Sequence, residues 1–528
     1  MFYNQTSLNV TNIKFKLHNF LKSKNSESEN NNFIKNEIVS PFSYFIIFIT
    51  AVVSISICSK SSPIYPFNDW VDANCFFTVG KSIANGKVLY KDIYEQKGPI
   101  LYFLHTLFYF ISPKTFLGAY IFEIISCFSF LLISYRTMLL FFSRKIIVAI
   151  PLLSAVIYTS PSFSHGGSAE EYCLPLLALC FYIGLKSCIS QTSISRKSWL
   201  SIGISSALVL WIKFSLVGIY IGFFLFFLLT VIRKKNVLPF LRNMVFLLMG
   251  IILGSLPVII YFTATKSFSH LFQVYFYNNI FLYSLGSSNP FSAIAEVFGG
   301  LYSNFKGIAL VLFFSALTLV YFFFKGKKIF LYSLISFSFA IFFIYCGGRH
   351  AIYYALPIAI FAPIGTAFPF ALAQRIKKKN FSISEKKRTK YALVATYALF
   401  CILIIFNFSP NVYLLKYEKE DLPQFQFKKI INQTENPTLL NYGFLDGGFY
   451  TVCEIVPNCK YFCGLNIPLD EIKKSQDYFV ENGLCDFVVT RDATLDSKIS
   501  QKYRLVCQSE FPLEKKIRVY YLYEKISE

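Results

Sequence analysis

The chain has 528 residues, of which 55% are hydrophobic and only 15% are charged. No soluble domain of this length needs so apolar a composition, so the sequence indicates an α-helical polytopic membrane protein. The formal net charge of +22 does not indicate a nucleic-acid-binding protein. Lysine and arginine occur in short clusters between apolar runs, as they do in cytoplasmic loops, and not on one face or one domain.

The first 39 residues are rich in Asn, Ser and Lys and lack the apolar core of a signal peptide. This composition predicts a disordered cytoplasmic tail at 1–39. A transmembrane region at 40–409 follows, because a spanning helix needs about 20 apolar residues and about eleven segments approach that length. The predicted spans are 40–58, 116–142, 146–163, 172–190, 199–213, 215–232, 243–263, 305–324, 329–346, 351–373 and 391–408.

The distribution of lysine and arginine predicts the orientation of these spans. Alternate connections are rich in both residues, and the positive-inside rule places those connections in the cytoplasm. The first outer loop, 59–115, is an exception because it carries several lysines, although four carboxylates offset much of their charge. Its apolar run at 99–112 is too short to span comfortably and is predicted to be an interfacial or re-entrant helix. If it were a span, the later lysine-rich loops would lie outside the cell, which the positive-inside rule disfavours.

The last part of the chain, 410–528, changes character. Short apolar runs at 438–442, 486–490 and 518–522 are typical of strands, and the pattern at 469–482 predicts a helix that Gly483 ends. We therefore expect a small α/β domain, and the same orientation argument makes it extracytoplasmic.

Ionisable residues gather at the predicted outer ends of the spans, where they are costly to place and indicate a site. A carboxylate there could deprotonate an acceptor, and lysine or arginine could neutralise a departing phosphate. The candidates are Asp69, Asp72, Lys97, Glu170, Glu171, Lys213, Arg349, His350 and Tyr353.

Each candidate also has a structural interpretation. Asp69 could cap a helix running to about Ala84, with Asp72 at its third position and Asn85-Gly86 ending it. Glu170 and Glu171 could simply begin the span predicted at 172–190. Lys213 could extend to the membrane interface, as lysine does near helix ends. Arg349 and His350 could anchor the chain at the lipid headgroups.

The first outer loop carries the strongest resemblance to a known family. The runs from Asp72 to Ile83, from Asn85 to Tyr90 and from Glu95 to Tyr102 resemble the first outer loop of the GT-C glycosyltransferases. Within that superfamily they are similar to the lipid A aminoarabinose transferase and protein O-mannosyltransferase group of bacterial membrane proteins. That group has a catalytic acidic residue in this loop, followed by a Lys-Pro-Pro motif. Here the motif reads Lys97-Gly98-Pro99, so Gly98 departs from the pattern.

Further matches follow in chain order over about residues 40–373. Trp211-Ile212-Lys213-Phe214 resembles the family's lysine between two hairpin spans, without the usual Gly-Pro after it. The Arg349-His350 pair, with the following Tyr353 to Pro357, resembles its basic, aromatic, Leu-Pro motif, where donor phosphate is handled. Glu170 and Glu171 resemble its second acidic loop.

The resemblance implies an inverting glycosyltransferase with a polyprenyl-phosphate-linked sugar as donor. The acceptor would be a cell-envelope glycan, lipid or protein at the outer face of the cell membrane. Asp72, supported by Asp69, would be catalytic, and the donor phosphate would contact Lys97, Lys213, Arg349, His350 and Tyr353. Because family members differ in metal dependence, a divalent cation (Mg or Mn) at Asp69 and Asp72 stays open.

Other functions explain the sequence less well than this one. A lipid-linked oligosaccharide flippase or transporter would keep ionisable residues near the membrane midplane, often on repeats, whereas the spans here carry few charges beyond Glu123 and Arg136. An O-antigen polymerase or ligase is a closer enzymatic alternative. A scaffolding protein would leave the polar groups at one face unexplained.

Overall fold

The structure is a computed structural model that describes residues 39–235, 237–284, 290–380, 387–491, 501–513 and 516–526. The predicted N-terminal tail lies outside these residues except for Val39. The apolar segments form helices, as their composition predicts, and polar or glycine-containing connections separate them.

The first part of the membrane region is made of helices that follow one another with short connections. A 3₁₀ turn at Arg144–Val148 precedes α5, and another at Phe214–Leu216 precedes α8. The helices are α1 (Pro41–Cys58), α2 (Val71–Ala84), α3 (Pro99–Ile111), α4 (Leu117–Leu139), α5 (Ala149–Tyr158), α6 (Ala169–Ser190), α7 (Arg196–Ile212), α8 (Gly218–Lys234) and α9 (Val237–Ala264).

The second part contains less regular elements. The short helix α10 (Phe268–Leu271) leads into a π-helix at Phe272–Tyr283, and a 3₁₀ helix at Ile352–Phe361 precedes α13. The remaining helices of this part are α11 (Pro290–Lys325), α12 (Lys327–Tyr345), α13 (Pro363–Asn380) and α14 (Lys387–Phe408).

Within the described residues, seven helices are long and apolar enough to cross a membrane, or eight if the 3₁₀ helix and α13, which meet at 46°, form one bent span. The spans predicted at 146–163, 199–213 and 391–408 form helices α5, α7 and α14, which are not among these seven. Helix α3 has 13 residues, about 20 Å of helix. It is therefore shorter than a bilayer core of about 30 Å, as expected for an interfacial or re-entrant segment.

The C-terminal part is built around a four-stranded sheet of order β1-β2-β4-β3. Strand β1 pairs parallel with β2, and β4 pairs antiparallel with both β2 and β3. The sequence predicted β1, β2, β4 and the helix ended by Gly483 but missed β3. The elements are α15 (Pro423–Ile431), β1 (Leu439–Asn441), α16 (Phe449–Cys453), α17 (Asp470–Glu481), β2 (Phe487–Thr490), β3 (Tyr503–Leu513) and β4 (Lys516–Lys525).

The connections predicted to be outside contact one another at one end of the bundle. The Lys60 amide donates to the His165 carbonyl at 2.8 Å, and Asn279 Nδ2 donates to the Gln96 carbonyl at 2.7 Å. The structure therefore places these connections on one side, and the assignment of that side to the cell exterior stays a prediction.

The C-terminal part packs directly on α2. Thr78 Oγ1 donates to Asp446 Oδ2 at 2.6 Å, and Lys81 Nζ donates to the Tyr450 carbonyl at 2.6 Å. Burial raises the pKa of Asp446 and lowers that of Lys81 to about 8. These buried polar contacts connect the sheet to the helix that carries Asp72.

The low pKa of Lys81 predicts a pH-dependent stability. Because its folded-state pKa of about 8 lies below the ordinary lysine pKa of 10.5, the folded chain releases this proton at a lower pH than the unfolded chain does. The contribution of Lys81 to the free energy of unfolding should therefore increase between pH 8 and 10.5, by at most about 3 kcal/mol. Thermal unfolding of Lys81→Met in detergent should lack this increase.

The control for this prediction is Lys114→Met, whose side chain is 64% exposed. It should keep the wild-type dependence of the melting temperature on pH. Identical pH profiles for Lys81→Met and the wild type would contradict the assignment.

Candidate active site

A cavity of about 460 Å³ lies beside the first outer loop. Three cationic side chains from separate parts of the chain line it, Lys97, Lys213 and Arg349. Much of the remaining wall is apolar or aromatic and includes Ile212 and Phe276. The cavity therefore offers positive charge beside a surface that suits a hydrocarbon chain.

Helix α2 places Asp72 in its first turn, where a carboxylate interacts favourably with the helix dipole. The N-cap is Trp70 and makes no side-chain cap hydrogen bond, so Asp69 is not the cap. Asp72 Oδ2 accepts a hydrogen bond from the Tyr353 hydroxyl at 2.9 Å. The predicted end of the helix is confirmed, since Asn85 is the C-cap.

Asp69 forms a buried ion pair, and neither Asp69 nor Asp72 is part of the cavity lining. Its Oδ1 lies 2.6 Å from Lys60 Nζ, and both side chains are at most 5% exposed. Within the described residues, no group of three or more His, Cys, Asp or Glu side chains is arranged to hold a metal ion. Asp69 thus has a structural partner, and a divalent cation at Asp69 and Asp72 stays a prediction.

The backbone before Lys97 is held so that its side chain faces the cavity. The Lys97 amide donates to Glu95 Oε2 and to the Tyr102 hydroxyl, each at 2.9 Å. Burial raises the pKa of Glu95. Burial lowers the pKa of Lys97, but nearby negative groups, led by Glu95, outweigh it, and the pKa lies well above the ordinary value. Lys97 is therefore a cation at neutral pH.

Gly98 explains the departure from the Lys-Pro-Pro pattern. Its amide donates to the Ile212 carbonyl at 3.3 Å. A Cβ at this position would overlap the Trp211 carbonyl and stand 2.7 Å from the Ile212 oxygen. The loop can approach the end of α7 this closely because residue 98 has no side chain, and a proline would also remove the amide donor.

Replacement of Gly98 with alanine should therefore destabilise the protein. Overpacking against backbone costs about 1–3 kcal/mol, so we expect a clearly lower melting temperature in detergent. Gly326→Ala is the matched control, because nothing lies within 4 Å of its Cβ position. Equal melting temperatures for the two variants would show that the loop can move away from α7 at little cost.

Of the acidic pair Glu170 and Glu171, only Glu170 contacts a residue that lines the cavity. Glu170, in the first turn of α6, forms an ion pair with Lys213, and Lys213 Nζ lies 3.5 Å from the centroid of the Tyr354 ring. Glu171 instead accepts a hydrogen bond from the Gly167 amide at 2.7 Å. The two neighbouring carboxylates therefore have different partners.

Arg349 and His350 also separate. Arg349 Nε donates to the Tyr283 carbonyl at 3.0 Å, and within the described residues its guanidinium forms no ion pair with a carboxylate. His350 Nε2 lies 3.1 Å from Glu296 Oε2 and is not part of the cavity lining. The structure thus brings Arg349 to Lys97 and Lys213 but does not bring His350 there.

The sequence missed Tyr283 as a site residue. It ends the π-helix, lines the cavity, and its hydroxyl lies 3.0 Å from that of Tyr354. Its ring also faces Arg349, with 4.5 Å between the guanidinium carbon and the ring centroid. Extended π-helices are rare and frequently occur at functional sites, but no sequence pattern reveals them.

The membrane helices, the helical first loop and the small C-terminal sheet define a multi-pass membrane protein with an ArnT-like fold. The crystal structure of ArnT from Cupriavidus metallidurans bound to undecaprenyl phosphate has a similar fold. The superposition has a TM-score of 0.59 and 12% sequence identity, and it covers 91% of this chain and 97% of that chain. No family model matches the sequence, and the search of curated proteins gives no match.

Proposed function

We propose that this protein is a membrane glycosyltransferase that transfers a sugar from a polyprenyl-phosphate donor to a cell-envelope acceptor. The observation that carries the proposal is the joint position of Lys97, Lys213 and Arg349 around one largely apolar cavity. A polyprenyl phosphate has an anionic head and a hydrocarbon tail, and this cavity presents complementary surfaces to both. The fold shared with ArnT, which was crystallised with undecaprenyl phosphate, supports the same class of donor.

In the proposed reaction, an acceptor hydroxyl or amine attacks the anomeric carbon of the donor sugar. The bond between that carbon and the phosphate oxygen breaks, and polyprenyl phosphate leaves from the opposite face, which inverts the configuration. Asp72 takes the proton of the acceptor, as a general base does. Tyr353, which donates to Asp72 Oδ2 at 2.9 Å, positions the carboxylate.

The cations would act on the leaving phosphate. Positive groups fixed where negative charge develops stabilise the transition state without reorganising during the reaction. Arg349 and Lys97 are the stronger candidates, because Glu170 already compensates Lys213. In this mechanism Lys213 completes the positive wall, and its pair with Glu170 fixes its position.

The acceptor would approach from the side of the C-terminal part. Arg349 Nη2 lies 3.5 Å from the Asn466 carbonyl, so this part adjoins the cavity rim. We propose that it contributes to acceptor binding and lies outside the cell, with the N-terminus in the cytoplasm. The product would be a cell-surface glycan, glycolipid or glycoprotein.

The direct test is incubation of the purified protein with labelled polyprenyl-phosphate sugars and an envelope extract as acceptor source. Transfer should release polyprenyl phosphate and move label to the acceptor fraction. Parallel reactions with a chelator, Mg²⁺ or Mn²⁺ would determine the metal requirement. Movement of intact lipid-linked sugar across vesicles, without release of polyprenyl phosphate, would indicate a flippase and reject the proposal.

A further inference from the structure

Two adjacent glycines between α5 and α6 leave a small polar space inside the protein. Gly166 and Gly167 both have positive φ, +79° and +72°, a conformation that strongly favours glycine. A Cβ on Gly166 would overlap the Ser59 hydroxyl and stand 2.6 Å from Glu123 Oε2. The space beside these glycines is therefore lined by oxygen atoms from α4 and from the end of α1.

The space beside Gly167 has the same character. A Cβ there would stand 3.4 Å from Glu123 Oε1, 3.6 Å from the Tyr172 hydroxyl and 3.8 Å from Ser61 Oγ. Glu171 Oε2 also lies beside Gly167, because it accepts a hydrogen bond from the Gly167 amide at 2.7 Å. Two carboxylates and two hydroxyls thus converge on one residue.

The two carboxylates lack compensating charge. Glu123 and Glu171 are fully buried, and within the described residues neither forms an ion pair with a basic side chain. The Ser59 and Ser61 hydroxyls and the Gly167 amide lie near Glu123, but neither oxygen of Glu123 nor Oε1 of Glu171 makes a hydrogen bond of good geometry with the described residues. Burial of such charges without partners costs several kcal/mol per ion.

The Tyr172 hydroxyl is a second and independent indication of a ligand. Tyr172 is 3% exposed and its hydroxyl has no hydrogen-bond partner among the described residues, although it points at the same space as Glu123. Buried hydroxyls normally have a partner. A bound ion would satisfy this oxygen and the carboxylates together.

We propose that Glu123 and Glu171, with the Tyr172 hydroxyl and the Ser59 and Ser61 hydroxyls, form a binding site for one hard metal cation. Carboxylate and hydroxyl oxygens are ligands of hard cations such as Na⁺, Mg²⁺ and Ca²⁺, and no soft sulfur or nitrogen ligand takes part. This site is separate from the predicted one at Asp69 and Asp72, and it does not depend on the proposed transferase activity.

The position of the site suggests what the cation would stabilise. Ser59 and Ser61 flank Lys60, which pairs with Asp69 at the start of the first outer loop. Glu171 follows Glu170, the partner of Lys213. A cation here would fix the start of the first outer loop to the beginning of α6, and so hold elements that border the candidate active site.

The test measures thermal stability of the purified protein in detergent. After chelation and exchange into choline chloride, NaCl, KCl, MgCl₂ or CaCl₂ is added at constant ionic strength. A ligand that binds the folded state raises the melting temperature with its concentration. We expect at least one of these cations to raise it by several degrees with saturation, and the four arms identify which cation binds.

Variants locate the effect. Glu123→Gln and Glu171→Gln should each abolish the rise, and Tyr172→Phe should weaken it, whereas Glu454→Gln, at a partly exposed carboxylate bound to Lys114, should leave it unchanged. If either glutamate variant does not fold, the Tyr172→Phe titration decides. The absence of a saturable rise with every cation, or an equal rise in the glutamate variants, would overturn the proposal. A melting temperature that depends on pH but not on cations would indicate a shared proton and would also overturn it.

Discussion

Replacement of Asp72 with asparagine is expected to reduce sugar transfer by about 10²–10⁴-fold, the usual contribution of a general base. Asparagine has the same shape and can still meet the Tyr353 hydroxyl, which now lies 2.9 Å from Asp72 Oδ2, but it cannot accept the proton of the acceptor. Membrane insertion and the melting temperature should not change. The measurement is the rate of polyprenyl phosphate release at saturating donor.

Two other aspartates of the same loop make this prediction specific. Asp92 is exposed and accepts a hydrogen bond from the Val88 amide at 2.8 Å. Because it has this local structural role, Asp92→Asn should transfer sugar at the wild-type rate. Asp69→Asn should instead lower stability by about 3–5 kcal/mol, because it removes the negative charge from a buried ion pair with Lys60. Full activity of Asp72→Asn would refute the assignment of the base.

The second large effect is expected for Lys97→Gln. This lysine faces the cavity, and its pKa lies well above the ordinary value despite burial, because the charges around it, led by Glu95, outweigh the desolvation. Loss of a fixed positive group at a developing anion typically costs about 10²–10³-fold. We therefore expect kcat/KM for the polyprenyl-phosphate sugar to fall by this factor, from initial rates at varied donor concentration.

Lys91→Gln is the matched control, because Lys91 lies in the same loop but is exposed and does not line the cavity. Its kcat/KM should remain within about twofold of the wild type, as expected for a surface substitution away from the site. An equal loss in both variants would indicate a general effect of loop charge and would remove Lys97 from the proposed phosphate site.

The sequence by itself determined the membrane class, most of the helices and much of the C-terminal sheet. These features depend on local patterns, since apolar length indicates a span and alternation indicates a strand. The C-terminal end of α2 was predictable for the same reason, because Asn85 and Gly86 end it within the chain's own sequence, whereas the predicted cap at Asp69 was wrong. Strand β3 was missed, and its pairing partner β4 identifies it only in the fold.

Only the tertiary structure decided which of the polar residues meet. Asp69 and Asp72 are close in sequence, yet one pairs with Lys60 and the other with Tyr353. Glu170 and Glu171 are adjacent but have different partners, and so do Arg349 and His350. The physical reason is that adjacent side chains on a helix or turn point in different directions. The partner of each is then set by the packing of elements distant in sequence, which no local pattern records.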